Sequence, residues 1–174
     1  MGHSAEANAQ KGRASPTDTA TSALGGCIVV SGSSVPGTKH IFDSALETPE
    51  GSRTWSVGRV EIPKIEDVWL VLGFTGIGSP TGEMVEGVSE LLKSNPLKMV
   101  EIEAIGEITS RGLSALSSGN MEEVGLAMNA CHHRLRNIGV SSPELENLIS
   151  ATEGHSLGTK LTGAGGGGCM VSLT

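Results

Sequence analysis

The stretch Lys160–Cys169 reads KLTGAGGGGC, and five of the six residues from Gly163 to Gly168 are glycine. A glycine costs about 0.5–1 kcal/mol relative to alanine even inside regular structure, so a run this dense must serve a conformation or a close approach. Glycine admits positive φ and lets successive backbone N–H groups converge on a ligand, a phosphate above all. The flanks SLGTKL and CMVSL are short and apolar, unlike those of a Gly/Ser linker, and read as strand, tight loop, strand. Gly163, Gly165 and Gly168 also satisfy G-x-G-x-x-G. A dinucleotide fingerprint, however, opens a helix and is followed about 20 residues later by an acid. A Walker loop ends in Gly-Lys-Ser/Thr, whereas Gly168 precedes Cys169.

The second candidate for chemistry is Asp18, one of three aspartates beside Asp43 and Asp67. In GRASPTDTATSALGG, Ser15 suits a helix N-cap, Pro16 the first helical position, and Asp18 the third. Ser-x-x-Asp is then a capping box with an acid favoured by the helix dipole. The same geometry suits a carboxylate that orients a hydroxyl or takes its proton. Spacing leaves both readings open. Cys131-His132-His133 invites a metal reading, but adjacent helical residues point about 100° apart and helical zinc histidines prefer i, i+4. His3, His40 and His155 stand alone, with surface or capping roles.

The elements that must position these groups follow from periodicity. Residues 1–26 read as helix and turn closing at Gly25-Gly26, and CIVVSG as a short buried strand. Residues 32–58, rich in Gly, Ser, Pro and Thr, read as a long loop or hairpin excursion. Val68 to Phe74 is a buried strand, and a subdomain boundary falls between Pro63 and Asp67. Helices then begin at Ser79-Pro80, Pro96, Asn120 and Ser142-Pro143. Apolar stripes run through Met84, Val85, Val88, Leu91 and Leu92, then Leu97, Val100, Ala104, Ile105, Ile108 and Leu116. A third stripe takes Met121, Val124, Met128, Cys131, Leu135 and Ile138, with Asn120 and Glu123 at capping-box spacing. These stripes are core.

The chain has 174 residues, a formal net charge of −7 and no tyrosine. Its pI near 5.2 and mean hydropathy near zero fit a soluble fold and exclude the basic stripe of a nucleic-acid binder. Three dispersed cysteines give no C-x-x-C pair, zinc site or disulfide framework, and fit a reducing cytoplasm. No signal-type or membrane-length apolar run is present.

Taken in order, GHSAE, GRASPTDTATSALGG, GFTGIGSPTGEMVEGV, NIGVSSPELENLI and GTKLTGAGGGGCMVSL resemble the archaeal-type mevalonate kinases within the GHMP small-molecule kinases. The match is weakest over residues 32–66. The resemblance implies an α+β, partial GHMP kinase fold. Residues 1–65 would close an S5-like N-terminal subdomain, and 66–174 would form most of a ferredoxin-like C-terminal one. It implies ATP-dependent phosphorylation of mevalonate to 5-phosphomevalonate in isoprenoid biosynthesis, with Mg²⁺, in the cytoplasm. It implies neither nucleic-acid nor membrane partners, and a homodimer at full length. The alternatives are a related kinase of phosphomevalonate or homoserine type, or a non-catalytic module that kept the fold.

Carried over by position, Asp18 is the catalytic aspartate and Glu6 a Mg²⁺ ligand, with one extra residue between Glu6 and Gly12. Thr75 and Ala164 border the substrate. Gly163, Gly165, Gly166, Gly167 and Gly168 form the loop near the phosphates, and Lys160 belongs to that motif without a catalytic role. Nothing in the 174 residues resembles the family's first-motif lysine, its Pro-x-x-x-Gly-Leu-Gly-Ser-Ser loop, or its last helix and strand. The resemblance therefore implies an internal-to-C-terminal portion of a kinase, cut at both ends.

Overall fold

The computed structural model describes residues 2–9, 14–48 and 51–174. The expectations for residues 1 and 10–13, Gly12 among them, lie outside that set. The chain divides into two compact units, residues 1–63 and 64–174.

In the first unit, α1 (Gly2–Ala9) and α2 (Thr17–Leu24) precede a three-stranded antiparallel sheet of order β1-β3-β2. Its strands are β1 (Cys27–Ser31), β2 (Lys39–Thr48) and β3 (Gly51–Val60). The segment expected as loop or hairpin is thus mostly two ten-residue strands. Its Thr, Val, Trp and Phe residues suit a pleated surface, and that preference outweighs the glycines and serines around them. β3 is central, pairing Cys27↔Val60 through Ser31↔Ser56 on one side and β2 on the other. Val57 and Val60 on β3, with Ala7, Ala14 and Ala20, are buried. β1 is only half-buried throughout, not the buried strand its composition promised.

The second unit runs β4 (Leu70–Phe74), α3 (Thr81–Ser94), a 3₁₀ turn (Pro96–Lys98), α4 (Met99–Ser118), α5 (Met121–Asn137), α6 (Pro143–Ser150), β5 (Gly158–Thr162) and β6 (Cys169–Leu173). Its sheet is antiparallel with order β4-β6-β5. The core joins Ile138, Val140, Leu145, Ile149, Leu161 and Met170, with Met84, Val88, Leu91, Ile102, Leu135 and Leu148 packed against it. Leu145 and Ile149 are one turn apart on α6, so a single face of that helix covers the sheet.

Capping signals locate the helices well. Asn120 accepts from the Glu123 N–H at 3.1 Å and Ser142 from the Leu145 N–H at 3.3 Å. Pro80 stands one position earlier than expected, at the N-cap of α3. Likewise Pro16, not Ser15, caps α2, and Asp18 is the second helical residue. Ser15 turns its hydroxyl to Thr17 Oγ1 at 2.9 Å, so the capping box does not form.

Parts of the expected core are open instead. Leu97 and Val100 are exposed, and so is β4: Leu70, Leu72 and Phe74 each show more than 60% of their surface. The reason is the face they occupy. Gly73 pairs with the core residue Met170, so Leu70, Leu72 and Phe74, which alternate with Val71 and Gly73, point to the opposite face of the sheet. β4 is also an edge strand. Trp69 and Thr174 exchange hydrogen bonds at 2.9–3.0 Å, and the Thr75 N–H donates to the Gly168 carbonyl at 2.9 Å. Antiparallel alternation then points the backbone N–H and C=O groups of Leu70, Leu72 and Phe74 away from β6. Among the described residues, no helix is long and apolar enough to cross a membrane.

Candidate functional site

The glycine loop is built by its conformation. Gly163, Gly165, Gly166, Gly167 and Gly168 all have positive φ, from 71° to 146°, and Ala164 alone does not. A β-carbon at any of the five would be strained.

Three straps hold the loop in the second unit. Gly166 N–H donates to the Val140 carbonyl at 2.8 Å, and Gly168 N–H to the Ile77 carbonyl at 2.8 Å. Thr75 donates to the Gly168 carbonyl through its N–H at 2.9 Å and its hydroxyl at 3.0 Å. That hydroxyl also receives the Ile77 N–H at 3.2 Å. Thr75, a sequence candidate for substrate contact, therefore spends its hydroxyl on anchoring the loop. The backbone is bare partly for internal reasons. A Cβ on Gly165 would lie 2.0 Å from the Val140 carbonyl oxygen, and one on Gly166 would lie 2.6 Å from Met84 Sδ and 2.9 Å from Ser79 Oγ. Gly163 and Gly168, by contrast, have nothing within 4 Å of that position. Alternate N–H groups are thus turned inward. Those of Gly165 and Gly167 find no acceptor among the described residues.

The strand that delivers the loop is fixed at its outer edge by α5. Asn129 Oδ1 accepts the Thr159 N–H at 2.8 Å, and His132 Nδ1 faces the Leu161 N–H at 3.5 Å. Gly125 and Gly158 allow this approach, since a Cβ on either would fall 2.0–2.3 Å from a backbone oxygen of the other segment. His132 is buried, with Nε2 3.0 Å from Glu146 Oε1. An N–H facing Nδ1 leaves the proton on Nε2, so the neutral imidazole donates to Glu146. Burial pushes the His132 pKa down, against the pull of the Glu146 carboxylate. Burial would raise the Glu146 carboxyl, but hydrogen bonds from Ser141 and Arg136 prevail and hold it below its ordinary value. No cluster of three metal-capable side chains exists among the described residues, and His132 of the CHH triplet is a positioning residue.

The other candidates lie in the first unit. Asp18 is exposed on the first turn of α2, and Glu6 is half-buried on α1. His3, expected at the surface, is buried and positions these helices. Its Nε2 donates to the Ala14 carbonyl at 3.0 Å, and Nδ1 meets Ser44 Oγ at 2.9 Å. Trp55 packs edge-on against its ring at 5.2 Å. His3, Asn129, His132, Glu146 and Val140 escaped the sequence reading. The spacing of Asn129 and His132, one turn apart on α5, was the available signal.

Residues 113–174 match the family model described as GHMP kinases C terminal. The crystal structure of L. major mevalonate kinase in complex with R-mevalonate aligns with a TM-score of 0.66 at 28% identity, covering 75% of this chain and 40% of that one. The fold is a partial GHMP kinase fold. The mevalonate kinase of Pyrococcus furiosus is 32% identical over 146 residues, 80% of this chain and 44% of the relative. That of Aeropyrum pernix is 34% identical over 113 residues, 64% of this chain and 35% of the relative. The Lin0012 protein from Listeria innocua, 17% identical with a TM-score of 0.62, shares the fold over 69% of this chain and 35% of its own. The chain thus spans less than half the length of the curated relatives it matches. Within the GHMP fold, the glycine loop lies inside the matched C-terminal region, while Asp18 and Glu6 precede it.

Proposed function

We propose that this chain contributes the acid, the metal carboxylate and the glycine loop to an ATP-dependent phosphorylation of mevalonate, as part of a longer cytoplasmic polypeptide that forms a homodimer. The observation that supports the reading is the loop itself: five positive-φ glycines strapped to Val140, Ile77 and Thr75, with the N–H groups of Gly165 and Gly167 left to an anion. Mevalonate kinases from archaea as relatives favour mevalonate as the acceptor.

In this reading the substrate hydroxyl oxygen attacks the γ-phosphorus of ATP, the bond to the ADP oxygen breaks, and the hydroxyl proton passes to Asp18. Asp18 is suited to this because it is exposed on a helix first turn and bonded to no other described side chain. Alignment and charge neutralisation supply most of the catalysis in such transfers. Mg²⁺ is held by one or two carboxylates together with substrate phosphates, and Glu6 fits as one such hard oxygen ligand. When bound, the ion neutralises charge on the phosphates. Ala164 and Thr75 border the acceptor, Thr75 through its hold on Gly168.

The test is ADP release by the natural polypeptide that contains this chain, given mevalonate, phosphomevalonate or homoserine. Turnover with mevalonate at least a hundredfold above the other two is expected. A preference for either of the others reassigns the acceptor, and no turnover with any of them refutes the kinase reading.

A further inference from the structure

Lys160 is the one charged residue of the glycine motif, and the proposed reaction leaves it unused. On β5 it alternates with the core residue Leu161, so its side chain leaves the sheet on the opposite face. The chain then turns back along the strand edge, and Nζ donates to the Leu161 carbonyl at 2.7 Å. An ammonium carries three donors. No second acceptor and no carboxylate meets this one among the described residues.

A groove of about 220 Å³ opens over it between α4 and α5, lined by Ile108, Leu113, Leu116, Val124 and Met128, with Thr109 at its rim. Burial pushes the Lys160 ammonium below its ordinary range, while the neighbouring Cys131 thiol opposes that shift. Burial raises the Cys131 thiol in turn. Both shifts report the same apolar surroundings. Lys160 is half-buried and its ammonium meets one protein acceptor, so an anion entering the groove can pair with it. A mostly apolar groove with one half-buried ammonium in its lining is complementary to a molecule with an apolar tail and an anionic head.

We propose that the α4–α5 groove binds a medium-chain aliphatic carboxylate, its tail laid along Ile108, Leu113, Leu116 and Met128 and its carboxylate paired with Lys160. The volume lies below the usual range for drug-sized ligands, so the tail is short. The site is separate from the glycine loop, but Lys160 stands three residues ahead of Gly163 on the strand that carries it. Occupancy therefore bears on the loop through β5.

Calorimetric titration of the protein with decanoate, decanol and butyrate tests this. One saturable decanoate site is expected, with butyrate at least tenfold weaker for want of a tail. Lys160→Met, which keeps the stem and removes the charge, should weaken decanoate at least tenfold and leave decanol unchanged. Thr109→Trp, an exposed rim position, should block the trough and abolish binding of both long-chain ligands. Undiminished decanoate affinity in Lys160→Met, or no saturable binding by the unaltered protein, overturns the proposal. Should Lys160→Met fail to fold, Thr109→Trp decides alone, and retained decanoate affinity there overturns it equally.

Discussion

Replacing Gly165 with alanine should unfold the loop from beneath, and Gly163→Ala is the internal control. Both residues have positive φ, 85° and 77°, so both alanines incur the left-handed penalty of about 1–2 kcal/mol. At Gly163 nothing lies within 4 Å of the new methyl, and the loss should stop there. At Gly165 the methyl would sit 2.0 Å from the Val140 carbonyl oxygen. Relief requires the Val140 turn and the loop to part, which costs the Gly166–Val140 hydrogen bond, about 1 kcal/mol net. It also disturbs Val140, a buried member of the core, by an overpacking cost of about 1–3 kcal/mol. The expected loss is thus about 3–6 kcal/mol for Gly165→Ala against about 1–2 for Gly163→Ala. Urea unfolding followed by far-UV circular dichroism reads it, since α3 to α6 dominate that signal in the unit carrying the loop. Equal losses would refute the reasoning, because φ alone would then account for both glycines and the Val140 contact for nothing.

Asp18→Asn, made in the longer polypeptide, should lower kcat by about 10²–10⁴ while leaving the melting temperature in place, since Asp18 is exposed and asparagine cannot take a proton. Steady-state kinetics beside a thermal melt checks this, and near-normal turnover would return Asp18 to a structural part in the first turn of α2. The 174-residue chain alone should release no ADP from ATP and mevalonate, because no first-motif lysine or Gly-Leu-Gly-Ser-Ser loop is present to hold the nucleotide. A coupled assay on folded chain suffices, and robust turnover would mean that other residues hold ATP. Stability should fall as the medium is acidified below about pH 6.5, the ordinary histidine value. The buried His132 has its pKa lowered, so below that pH the unfolded chain binds a proton that the folded chain refuses until its own lower pKa is reached. His132→Gln keeps one donor and one acceptor and should flatten that part of the slope between pH 7 and 5; an unchanged slope would clear His132 of the effect.

Much of this fold is local, and what is local was legible. Asn120 and Ser142 cap as their spacing requires because an N-cap is settled within four residues. The strand–loop–strand run from Gly158 to Leu173 was equally plain, since five positive-φ positions in six admit little but glycine. What escaped depends on neighbours distant in sequence. The apolar run of β4 carries no mark that one of its faces will stay uncovered, so its exposure was invisible. Nor does His3 announce its partners Ala14 and Ser44, or Asn129 its strand thirty residues on. The bareness of Gly165 and Gly166 read as room for a ligand, and the nearest atoms instead belong to Val140, Met84 and Ser79. Ligand-facing and self-facing glycines obey one rule of φ, and only the fold separates them.

The sheet of the second unit has two unlike borders. Along β5, Asn129 and His132 take the outward N–H groups of Thr159 and Leu161, and Lys160 takes the Leu161 carbonyl. Along β4, the backbone groups of Leu70, Leu72 and Phe74 stay open. An added strand, from further along a longer polypeptide or from another molecule, can therefore join on one side only. Two such sheets can join border to border, and the joined pair then presents a capped β5 at each end. Whichever strand takes the β4 border, from further along a longer polypeptide or from another molecule, leaves this sheet with no second open border to extend from.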